Sequence, residues 1–81
     1  MQTLDEWKVI LSTDLLALRQ LQGGDALSRM RRAMKQQEIG QHCYQAGESL
    51  SDTDLFLLKQ ALGLDKEAWQ SYKAKVRPEP E

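Results

Sequence analysis

The chain is punctuated for helices along its whole length, and for strands nowhere. Four positions put an oxygen-bearing side chain directly before an apolar-periodic run. They are Thr3 ahead of Leu4-Asp5-Glu6, Asp25 after Gly23-Gly24, Ser51 ahead of Asp52-Thr53-Asp54, and Asp65 after Gly63-Leu64. Such a side chain accepts from first-turn N–H groups, which have no partner inside their own helix. No period-2 run is credible as a strand, and no repeat or low-complexity tract interrupts the pattern. The pattern predicts an all-α fold: a small bundle of four to five short helices with tight Gly-capped corners. A single helical domain is expected over residues 1–77. A disordered acidic tail follows over 78–81, where two prolines and the lack of any apolar side chain leave nothing to wind or dock.

Eighty-one residues bury only roughly 60% of the unfolded surface, so stability should be small unless a partner chain adds burial. A hydrophobic share of 41%, with 13 Leu, against 28% charged residues is nevertheless that of a folded chain rather than a disordered one. The formal charge of −1 exerts no whole-chain pull on nucleic acid or an anionic membrane. A single Cys forms no internal disulfide, which suits a reducing compartment. The first residues are acidic where a signal peptide is basic, and no stretch approaches ~18 uninterrupted apolar residues. The expected location is the cytoplasm, with no membrane contact.

Residues 4 to about 21 predict the first helix. Leu4, Trp7, Ile10, Leu11, Leu15, Leu18 and Leu21 fall on one face, and Glu6 stands three residues after Thr3 as a capping box requires. Asp14 interrupts this face, so Ser12-Thr13-Asp14 reads as a kink or a restart. Val9 and Leu16, seven residues apart, make a second apolar strip on the polar side. The second helix begins at Asp25, with Leu27, Met30 and Met34 along its inner edge. Beyond Gln37 the phase slips and Gly40 costs about 1 kcal/mol in a helix interior, so residues 36–40 are expected to form either a bend or the start of a separate short helix through Tyr44, ended by Gly47. Ser51 caps a third helix over 52–62, with Leu55, Leu58 and Leu62 inward, closed by Gly63. Residues 66 to about 76 form the last, presenting Trp69, Tyr72 and Val76. Trp7 and Trp69 read as core anchors.

The residues that perform catalysis are nearly absent. His42 and Cys43 are the only His and Cys, and neighbours on a helix point about 100° apart, too far to pair as imidazole and thiolate. Cys43 reads as a small buried hydrophobe and His42 as an exposed or partner-contacting residue. With no second His or Cys to complete a shell, no metal site is expected. Gly23-Gly24 lacks the spacing of a nucleotide-binding loop, and no cofactor is expected. The reading is of a non-enzymatic protein.

One charged cluster stands out. Arg29, Arg31, Arg32 and Lys35 lie within seven residues, with no acidic residue between Ser28 and Gln37. They are read as the partner-binding face, complementary to an acidic protein surface. The strip at Val9 and Leu16 is read as an association surface, buried by a second copy or by a heteromeric partner. The sequence thus points to a small accessory or regulatory protein of bacterial or phage type, acting through protein–protein interaction by a helix face. The alternative is a small helix-turn-helix DNA-binding regulator. Residues 39–43 would be its first helix, 47–49 the turn and 52–62 the reading helix. Asp52, Asp54 and Glu48 would then face phosphates and be repelled, so nucleic acid is the secondary expectation.

Overall fold

A computed structural model describes residues 3–76, and the proposed tail over 78–81 lies outside them. Among the described residues the chain forms four α-helices and no strand. They are α1 (Leu4–Gln20), α2 (Ala26–Ser49), α3 (Asp52–Leu62) and α4 (Lys66–Ala74). No described helix is long and apolar enough to cross a membrane.

Three of the four local start signals act as their chemistry requires. Thr3 and Glu6 form the reciprocal capping box, with the Glu6 N–H donating to Thr3 Oγ1 at 3.2 Å. Ser51 Oγ accepts from the Asp54 N–H at 3.2 Å, and Asp65 Oδ1 from the Ala68 N–H at 2.7 Å. Asp25 occupies the N-cap position of α2 but its side chain makes no capping bond. Only one corner closes on a glycine cap. Gly63 takes the left-handed conformation at φ 70°, and the Leu64 N–H reaches back to the Lys59 carbonyl at 2.9 Å. Leu21 ends α1 and Leu50 ends α2, both at negative φ.

Two expected interruptions are absent. Ser12-Thr13-Asp14 does not restart α1, which stays one helix through them. The separate short helix through Tyr44 is also missing, because α2 continues through Gly40 and Gly47 to Ser49. The physical reason lies in α4. Gly40 is buried where α4 crosses α2, and a Cβ there would run into the Tyr72 carbonyl oxygen and come within 2.8 Å of Val76 Cγ2. Its glycine allows a close helix crossing and does not mark a break. The same continuity removes the expected helix-turn-helix turn, since residues 47–49 are helical and only Leu50 and Ser51 separate α2 from α3.

The core is built from Trp7 and Leu11 of α1, Ile39, Cys43 and Ala46 of α2, Leu58 of α3 and Trp69 of α4. Leu4, Ile10, Leu15, Leu18, Leu55, Leu62 and Tyr72 pack partly buried against it. Ile39, Cys43 and Ala46 follow the i, i+4, i+7 spacing of one helix face, so the phase slip seen in the sequence is the true core stripe beginning. That stripe covers only the C-terminal half of α2. The N-terminal half carries no fully buried residue.

Candidate functional site

Leu27, Met30 and Met34, expected along the inner edge of α2, are instead 53, 59 and 64% exposed. At about 100° per residue they lie roughly 150° around the helix from Ile39, Cys43 and Ala46, on its far side. Their spacing of i, i+3, i+7 makes a continuous apolar ridge. Such a triplet is how an amphipathic helix anchors in a partner's groove. Three large side chains left in water along one line cost solvation free energy that association recovers.

The four cations of this segment separate into two pairs. Arg29 and Arg31 are exposed, and Arg31 stands beside Leu27 and Met34 on the wheel. Arg32 turns back onto the end of α1, where one guanidinium nitrogen donates to the Leu21 carbonyl at 3.2 Å and the Gly23 carbonyl at 2.7 Å. It satisfies carbonyls that the helix end leaves open and fixes the α1–α2 connection. Lys35 is partly buried, with its ammonium 3.0 Å from Glu38 Oε2 and 3.9 Å from Asp14 Oδ1. Arg29 and Arg31 are therefore free to face a partner, while Arg32 and Lys35 hold the fold. The shared basic face that the sequence suggested is narrower than four residues.

Lys35 belongs to a polar cluster between α1 and α2. Asp14, the one charged residue among those described that is buried, places Oδ2 2.5 Å from His42 Nδ1. A buried carboxylate is costly unless paired and hydrogen-bonded; His42 supplies the hydrogen bond, and the Lys35 ammonium supplies a positive charge at 3.9 Å. His42, expected to be exposed or to contact a partner, is thus partly buried and committed to Asp14. Sequence reasoning missed this pair because its members are 28 residues apart. The signal was present all the same: an Asp inside an otherwise apolar stripe needs a donor from another element.

Cys43 is fully buried, and burial pushes its thiol up to about 12, so it holds no thiolate at neutral pH. On α1, Val9 and Leu16 are both exposed. Val9 lines a shallow groove with Asp5, Glu6 and Ile10. Leu16 lines another with Leu15, Arg19, Ala61 and Leu62, where α1 meets α3. Phe56 and Leu57 of α3 are exposed as well. No family model matches the chain, and neither a curated protein nor a solved structure is similar to it.

Proposed function

We propose that the protein is a small non-enzymatic accessory or regulatory protein that inserts the outer face of α2 into an acidic, apolar groove of a protein partner. One observation carries this reading. Leu27, Met30 and Met34 stand exposed beside Arg31, with Arg29 also exposed, on a stretch that holds no acidic residue over 26–37. The ridge supplies the apolar burial, and Arg31 on the same face selects the charge of the partner. Charge also argues against a second copy on the same face, since two-fold pairing would bring the arginines of both chains together. A reducing, cytoplasmic setting suits the lone buried thiol of Cys43.

The test compares wild type with Met30→Asp/Arg31→Glu in capture from the native host, followed by mass spectrometry. Both positions are exposed, so helical circular dichroism should stay nearly unchanged. The captured partner should be lost, and it should carry an acidic surface. Identical captures with both chains sink the reading. Duplex DNA binding that falls steeply between low and moderate salt replaces it with the DNA-binding regulator.

The strip at Val9 and Leu16 is assigned to self-association. Asp5, Ser12, Thr13 and Gln20 border it on the wheel, so a two-fold copy would bring little like charge together. We expect a dimer at micromolar concentration, and Val9→Lys/Leu16→Lys should give a folded monomer. A wild-type chain that sediments as a monomer over a wide concentration range removes the homodimer.

A further inference from the structure

We propose that Asp14, Glu38 and His42 form a binding site for a zinc-class divalent cation between α1 and α2. One ligand atom from each of the three lies within 4.8 Å of the others. A tetrahedral ion with bonds of about 2.0–2.2 Å holds its ligands roughly 3.4 Å apart, so the ion replaces the Asp14–His42 hydrogen bond, now 2.5 Å, by opening that pair by about an ångström, while the wider spacing closes by a similar amount. Glu38 is exposed and His42 partly exposed, which leaves both room to swing, whereas Asp14 is held in place by burial. Glu38 and His42 stand four apart on α2, the spacing that aims two side chains from one helix face at a common point. Counting only His and Cys as ligands hides this set, because two of its members are carboxylates and one comes from another helix.

The cluster already attracts a cation. The Lys35 ammonium bridges both carboxylates, at 3.0 Å from Glu38 and 3.9 Å from Asp14. A divalent ion replaces that single charge with two and bonds the oxygens directly, while the flexible Lys35 stem releases its head to solvent. One imidazole with two carboxylates suits zinc, nickel or cobalt. Magnesium and calcium require shells of six or more oxygens. Three protein ligands leave one position for a water or small anion. Beside the cluster, Trp7 packs its ring 6.1 Å from that of His42 and keeps its buried indole N–H without a partner among the described residues.

The experiment titrates the tag-free chain with zinc chloride by calorimetry and thermal melting, with magnesium chloride as the control. Zinc should bind at about one equivalent and raise the melting midpoint by several degrees, and magnesium should not. Lys35→Gln removes the competing ammonium and should tighten zinc several-fold. Glu38→Gln and His42→Gln should each weaken it by roughly tenfold or more. Asp14 is left intact because its substitution could unfold the chain. The absence of zinc binding in both wild type and Lys35→Gln overturns the proposal and leaves an ion-pair latch. So does zinc binding that survives both Glu38→Gln and His42→Gln.

Discussion

Replacing Leu11 or Leu58 by alanine should lower the free energy of unfolding by about 2–5 kcal/mol each, from lost transfer free energy plus the cavity left behind. Both side chains are fully buried, and each centres the apolar face of a helix whose start is capped by a side chain. Leu11 touches the core from α1 and Leu58 from α3, so the two substitutions probe one cluster from two helices. A domain of this length has a total stability of about 4–12 kcal/mol, so either change removes a large fraction of it. Gln60→Ala is the control. Its side chain is exposed and outside the proposed interfaces, and the cost should stay within about 0.5 kcal/mol. Urea melts of the three variants decide the matter, and losses below about 1 kcal/mol at both core positions would show that the helices pack in another register.

What the sequence made legible was whatever is settled within three or four residues. Thr3 with Glu6, Ser51 with Asp54 and Asp65 with Ala68 are local hydrogen bonds, and each sets a helix start where the side-chain pattern expects it. Trp7, Leu11, Leu58 and Trp69 were legible as core because every helix that carries them has a neighbour along that face. The errors concentrate on α2, where the outcome depends on other elements. Leu27, Met30 and Met34 have the spacing of a core stripe, yet burial needs a second surface, and the buried positions of α2 all lie between Ile39 and Ala46. An apolar face can be read from the sequence; what covers it cannot. Asp14 illustrates the same limit in reverse. Its polarity looked like a break in α1, and the Lys35 and His42 side chains that keep it buried come from α2. Arg29 and Arg31 cannot be told from Arg32 and Lys35 by composition. Only the path of the chain at Leu21 and Gly23 draws Arg32 inward.

Gly40→Ala should destabilise the protein by about 1–3 kcal/mol or more, the cost of forcing extra volume into a packed crossing. On propensity alone the opposite is expected, because alanine gains about 0.5–1 kcal/mol over glycine in a helix interior. The added methyl would meet the Tyr72 carbonyl oxygen and Val76 Cγ2 at once. Val76 can turn its side chain aside. The Tyr72 carbonyl is backbone of α4, so relief requires the whole helix to move away from α2. Trp69, whose side chain is almost wholly buried in the core, would move with it. Gly47 supplies the reference within the same helix, since a Cβ there meets nothing within 4 Å and its φ is not positive. Gly47→Ala should therefore stabilise by about 0.5–1 kcal/mol, partly by restricting the unfolded chain. Two identical substitutions, seven residues apart on one helix, should thus differ in sign. Thermal melts give the answer directly. A Gly40→Ala variant at least as stable as wild type would mean that α4 does not cross α2 at this distance.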